Sequence, residues 1–190
     1  LANIKEWYNG YSWNGIDYVY NPFSILNFFS KMQFKDYWFE TGTPTFLMKL
    51  IKERDYEIME IKRKIVDIAL FDKYDLSNLE LTALLFQTGY LTIKSYDIAQ
   101  GTYTLDYPNK EVCKSFENYL FATYSDRHVA NNRKFLNDII FALKENDLEK
   151  FIHLLKILFK NITYPIIDNK ENYYHSLFYL VIKLLGFDIE

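Results

Sequence analysis

The sequence is poor in the residues that usually announce chemistry. Its single cysteine, Cys113, allows no internal disulfide and no thiolate metal cluster, which suits a reducing compartment. The three histidines, His128, His153 and His175, lie far apart without ligand-type spacing, so no shared metal site is expected. Its six glycines are followed by Tyr11, Ile16, Thr43, Tyr90, Thr102 and Phe187, never by Lys and then Ser or Thr, which excludes a phosphate-binding P-loop within these residues. No apolar run approaches the roughly eighteen residues of a membrane-spanning helix, and no basic-then-apolar leader opens the chain. The expectation is a cytoplasmic protein with no membrane partner. A formal net charge of -3 gives no general attraction to nucleic acid.

What the chain does have is apolar and aromatic material, 49% and 19% of its 190 residues, enough for one domain or two small ones. The most structured stretch runs from Ser77 to Asn109. Ser77 and Glu80 have capping-box spacing, and Leu81, Leu84 and Leu85 give the following helix a buried stripe. Gly89 can end that helix in a left-handed conformation. The period then switches to alternation, with Leu91 and Ile93 on one face of a strand and Thr92 and Lys94 on the other. A turn from Asp97 to Gly101 leads to a second strand through Tyr103 and Leu105, closed by Pro108 before Asn109 caps another helix. Helix, hairpin, helix is the order of a winged-helix unit.

Upstream, Asn14-Gly15 between aromatic flanks predicts a tight hairpin turn. Asn21-Pro22 predicts a helix to about Ser30 with Phe23, Leu26 and Phe29 or Ser30 facing inward, and Thr43-Pro44 predicts another with Phe46, Leu47, Leu50 and Ile51 inside. The segment from Asp55 to Leu70 reads as a helix through Ile58, Ile61, Ile65 and Ile68, with a short strand from Ile65 to Phe71 as the alternative. Downstream, Val112, Phe116, Tyr119 and Leu120 continue a helix, and Ser125 to Arg133 is a candidate linker. Two further stripes, Phe135 to Leu143 and Leu148 to Leu158, predict an αα-hairpin with a capping box at Asn146 and Glu149. A last helix is expected from about Glu171 to Leu185. The fold class is therefore mainly α with a small antiparallel β component. Three regions are expected: an aromatic hairpin and helical lid-like region (1–75), a winged-helix unit (76–125), and an αα-hairpin with a further helix (126–190).

Several blocks resemble a bacterial family of AAA-ATPase-like proteins that end in a PD-(D/E)XK nuclease-like domain. They are Trp7, Tyr8, Gly10 and Tyr11; Tyr20, Asn21, Pro22 and Ser24; Gln87, Thr88, Gly89, Tyr90, Leu91 and Thr92; Pro108, Asn109, Glu111 and Val112; and Tyr174 with His175. The resemblance implies that this segment follows an ATPase core and stops at the first helix of a truncated nuclease-like domain. The Leu at residue 1 and the short apolar alternation at Gly186 to Glu190 also read as ends of a piece of a longer protein. ATP and Mg are implied for that parent only, and the partners implied are its own upstream and downstream domains. Glu171 stands where the nuclease family carries a first-helix acid, and Asp188 and Glu190 are candidate metal-binding carboxylates, but no Glu-x-Lys accompanies them.

Winged helices can read DNA with the helix before the wing. Here that helix offers Glu80, Thr82, Gln87 and Thr88, with no Lys or Arg for phosphate, and the wing offers Lys94. A protein partner fits this chemistry better than DNA. The basic run Lys62-Arg63-Lys64 has Glu60 at helical ion-pair distance from Lys64 and reads as a solvated face. The N-terminal aromatics interleave with Asn, Ser and Gly, which favours packing over base stacking.

Overall fold

The computed structural model describes residues 2–41, 44–54, 56–72, 81–160 and 170–187. Its elements run α1 (Ala2–Tyr8), β1 (Asn9–Tyr11), β2 (Val19–Tyr20), α2 (Pro22–Lys31), a 3-10 turn at Trp38–Thr41, α3 (Thr45–Glu53) and a second 3-10 turn at Ile58–Ile61. They continue with β3 (Lys64–Asp67), α4 (Ala69–Asp72), α5 (Leu81–Gln87), β4 (Thr92–Asp97), β5 (Thr102–Asp106), α6 (Lys110–Tyr124), α7 (Val129–Lys144), α8 (Leu148–Lys160) and α9 (Lys170–Leu184). The fold is mainly α with a small antiparallel β component. Two compact units divide the chain, one from residues 1–44 and 59–116, the other from 45–58 and 117–190, so the sequence boundaries near 75 and 125 do not coincide with them.

In the first unit β1 pairs with β2, Asn9 opposite Tyr20 and Tyr11 opposite Val19. The expected two-residue turn at Asn14-Gly15 is instead a longer loop from Ser12 to Tyr18. Asn14 Oδ1 accepts from the amides of Ile16 and Asp17, both at 2.9 Å, and Ser12 Oγ accepts from Gly15 N at 2.9 Å. Side-chain bonding to its own backbone gives Asn14 a wider turn than the hairpin signal implies.

α2 starts as expected: Asn21 Oδ1 accepts from Phe23 N at 2.9 Å and Ser24 N at 3.3 Å, with Pro22 in the first turn. Its inward face is not the expected one. Ser24 and Phe28 are buried, while Phe23, Leu26 and Phe29 are 42%, 68% and 59% exposed. Phe28 joins Tyr8 and Tyr37 in a cluster flanked by Ile4, Trp7 and Ile25. That cluster, together with a buried partner for Ser24, fixes the rotation of the helix and leaves the more regular apolar stripe outside.

The helical reading of residues 55–70 is corrected. Ile58 and Ile61 are buried in a 3-10 turn, but Lys64 to Asp67 is a strand, with Val66 buried and Ile65 and Ile68 exposed. β3 lies antiparallel to β5, Ile65 opposite Thr104 and Val66 opposite Tyr103, in a sheet ordered β3-β5-β4. Among the described residues β3, α4, α5 and the β4–β5 hairpin follow in order, with the first strand beside the last. The Ser77–Glu80 capping box lies outside the described residues.

Gly89 ends α5 at φ +81°, and Asn109 caps α6 through Val112 N at 3.0 Å. Alternation in β4 is imperfect. Thr92, expected outward, is 2% exposed, and a bulge between Ile93 and Ser95 interrupts the pairing with β5.

In the second unit α3 buries Leu47, Met48 and Ile51, whereas Phe46 is exposed. Residues 125–133 are no linker: Ser125 is buried with its hydroxyl donating to Phe121 O, and α7 already begins at Val129. Asn132 donates to Asn118 O at 3.0 Å and Oδ1 at 2.8 Å. α7 and α8 form the expected αα-hairpin, but the cap is Asp147, which accepts from Lys150 N at 2.9 Å, and Asn146 is the left-handed residue before it at φ +55°. Tyr173 on α9 stacks on Tyr124, ring centres 5.2 Å apart, and donates its hydroxyl to Tyr124 O.

Two glycines separate space from conformation. A Cβ on Gly10, at φ +132°, would sit 1.9 Å from Pro108 O, whereas one on Gly101, at φ +68°, would meet nothing within 4 Å. Gly10→Ala is expected to cost more than about 3 kcal/mol and Gly101→Ala about 1 kcal/mol. Urea unfolding of both variants checks the pair, and equal losses would contradict the Gly10–Pro108 contact.

Candidate functional site

Several of the residues that carry the family resemblance, Tyr11, Ser24, Gly89, Tyr90 and Glu111, lie near one another in the first unit. At its centre is Glu111, in the first turn of α6 and 0% exposed. Its Oε1 accepts from Ser24 Oγ at 3.0 Å and from Trp38 N at 2.9 Å. One carboxylate oxygen thus joins α2, the 3-10 turn at Trp38 and α6. Oε2 has no hydrogen-bond partner among the described residues. Burial raises the carboxyl pKa from its ordinary 4.5 to about 6, against the lowering effect of hydrogen bonds from Trp38, Ser24 and Tyr37 and with the Asp36 charge adding to the rise. Asp36 itself accepts from Ser115 Oγ at 2.9 Å, one turn further along α6.

The elements that Glu111 joins also carry a cluster of aromatic rings. Trp38 lies 5.1 Å from Tyr90 and 6.4 Å from Tyr11 between ring centres, and Tyr90 is 4.9 Å from Phe116. A Cβ on Gly89 would touch Tyr11 and Trp38 at ordinary distances, so it is the positive φ of Gly89, not lack of room, that favours glycine there. Tyr8, 0% exposed, donates its hydroxyl to Lys35 O and accepts from Lys35 N, both at 3.0 Å, and burial pushes its pKa up to about 12. Burial raises the Tyr11 hydroxyl too.

Two further joints fasten the N-terminal hairpin to the wing. Thr92 Oγ1 accepts from Ser12 N and donates to Ser12 O, both at 2.7 Å, which explains why a threonine lies inside β4. The bulge aims Lys94 at Pro108 O, 2.9 Å away, the carbonyl that Gly10 also approaches. Burial lowers the Lys94 pKa, and Tyr18 donates to Lys94 O at 2.9 Å.

The other nominated residues divide. Asn21, Pro22, Leu91, Asn109 and Val112 shape or bury the neighbouring elements, with Leu91 2% and Val112 0% exposed. Trp7 rings with Phe34 at 5.5 Å. Tyr20, Gln87 and Thr88 lie at the surface, and Thr88 Oγ1 turns back to Leu84 O at 2.6 Å. Tyr174 and His175 belong to the second unit, where Tyr174 meets Phe159 at 5.4 Å between ring centres and His175 is exposed. Glu171 is exposed in the first turn of α9, and Asp188 and Glu190 lie outside the described residues. Of the DNA-reading candidates, Thr82 is 1% exposed, Glu80 lies outside the described residues, and Lys94 is engaged internally. Among the described residues no three His, Cys, Asp or Glu side chains gather into a metal site. Cys113 is half-buried. Sequence reasoning missed Ser12 and Trp38 as partners: Trp38 contributes through its backbone amide, which no side-chain pattern reveals.

A protein of Azotobacter chroococcum mcd 1 named "Uncharacterized protein in vnfD 5'region" is 37% identical over 195 residues. The match takes in 98% of this chain and 37% of that protein, so the chain spans little more than a third of its relative. No family model and no solved structure matches.

The raised pKa of Glu111 fixes the sign of its pH dependence. The native state binds the proton more tightly than the unfolded chain, so this group's contribution is most favourable below about pH 4.5 and is lost as pH rises to about 6, amounting to about 2 kcal/mol. Glu111→Gln keeps an acceptor for Ser24 and Trp38 and should remove that slope at a loss below about 1 kcal/mol at neutral pH. Glu111→Ala should lose about 2 to 4 kcal/mol at every pH. Unfolding curves from pH 4 to 8 read both, and an unchanged slope in Glu111→Gln would refute the assignment.

Proposed function

We propose that this chain is a non-catalytic connector within a longer cytoplasmic polypeptide, coupling an upstream ATPase-like domain to a downstream nuclease-like domain. The observation that carries the reading is the meeting of α2, the 3-10 turn at Trp38 and α6 on one fully buried carboxylate. Glu111 has no surface to offer a substrate. Its bonds hold α2 and the Trp38 turn to α6, the Ser12–Thr92 bonds tie the hairpin to the wing, and a rigid body is what transmits a neighbour's movement. The relative's greater length supports the view that domains of other function flank this segment. ATP and Mg belong to the upstream domain in this reading.

The alternative, a winged-helix docking module, is favoured for protein over DNA by the internal engagement of Lys94 and the burial of Thr82. Sequencing the source gene on both sides of the segment is the direct test of the connector. The expected result is Gly-x-x-x-x-Gly-Lys-Ser/Thr upstream and an Asp followed by Glu-x-Lys downstream. Absence of both sinks the coupling role. For the DNA version, binding to duplex DNA should stay weaker than about 10 µM near 50 mM salt; tighter binding with a log-log salt slope of about -4 or steeper would favour DNA instead.

A further inference from the structure

α2 turns its apolar stripe to solvent. Phe23, Leu26 and Phe29 recur every third residue, fall within a sector of about 120°, and are 42%, 68% and 59% exposed. The helix carries one charge, Lys31, which lies 4.8 Å above the Tyr37 ring and 4.0 Å from Glu40. Asn27 bonds back to Phe23 O at 3.0 Å. The outward face is thus almost uncharged, and the buried bond from Ser24 to Glu111 prevents the helix from rotating it inside. A helix fixed in this phase exposes an apolar patch of the size that often marks an interaction site.

Size decides between occupants. With about 200 Å² for a fully exposed large apolar side chain, the three residues offer about 350 Å². A symmetric pair would bury about 700 Å² from these side chains, short of the roughly 1,200 Å² total of stable, specific association unless other surface joins it. A surface on the same polypeptide has no such shortfall, because tethering supplies an effective concentration near millimolar. The matched relative carries nearly two thirds of its length outside this segment. We infer that the Phe23–Leu26–Phe29 face of α2 is covered by an uncharged, apolar surface contributed by residues that flank this segment in the longer polypeptide. The inference rests on the connector reading only in needing a longer chain, and not on its ATPase or nuclease identity.

Hydrogen exchange on the polypeptide encoded by the whole source gene, compared with the segment alone, tests this. The expected result is exchange in residues 22–31 at least about 10-fold slower in the whole polypeptide, with Leu26→Asp restoring the segment's rate. Leu26 is mostly exposed, so the variant segment should fold; Leu26→Gln serves if the longer variant does not. Equal exchange in both forms overturns the inference, as does a gene that encodes nothing beyond the segment. A concentration-dependent dimer of the segment in sedimentation, abolished by Leu26→Asp, also overturns it and gives the face to a second copy. Protection of α2 without flanking ATPase or nuclease motifs would uphold this inference while removing the function proposed above.

Discussion

A carboxylate taken out of water must find donors, and Glu111 finds two. Without them, burying it would cost several kcal/mol, which a domain of marginal stability cannot absorb. Its position in the first turn of α6 helps as well, since the helix dipole favours negative charge there. From this one requirement much of the first unit follows. Ser24 must face inward, so α2 has one permitted rotation. Trp38 must present its amide, so the segment after α2 is held against α6. Rings from Tyr11, Trp38, Tyr90 and Phe116 pack against one another beside these elements.

The same requirement separates this unit from an active site. Catalytic carboxylates need a raised pKa and access to a reacting group. Glu111 has the first and is fully enclosed. Its raised pKa is therefore a consequence of burial, and the conflict between helix phase and apolar stripe appears at the surface of α2. A sequence that places its regular stripe outside serves an interface better than a core.

Local signals in the sequence were read correctly where a single residue decides them. Asn21 and Asn109 as caps, Gly89 as a helix end, and the turn at Asp97 to Gly101 all appear as expected. Where two signals competed, tertiary bonding chose. The alternation Leu91-Thr92-Ile93-Lys94 assigned Thr92 outward, but its hydroxyl satisfies both backbone groups of Ser12. The isoleucines at 58, 61, 65 and 68 fit a helix, yet pairing with β5 made Lys64 to Asp67 a strand. Phe23, Leu26 and Phe29 made the stronger stripe, and a serine's hydrogen bond overruled it. The resemblance singled out Ser24 and Glu111 from separate blocks, but nothing in their spacing, 87 residues apart, disclosed that they touch.

The interleaving of the two units has a consequence for how the molecule can be dissected. Residues 45–58 leave the first unit's chain segment to join the second, and the chain then returns before α6 leads out again. No single cut isolates either unit. During synthesis the first could close once Phe116 has emerged, with the α3 excursion held as an unfilled loop until the C-terminal helices arrive. Deletion mapping by terminal truncation would therefore remove support from α3 long before it reaches it, and an inserted reporter near residue 50 would disturb helices more than a hundred positions away in sequence.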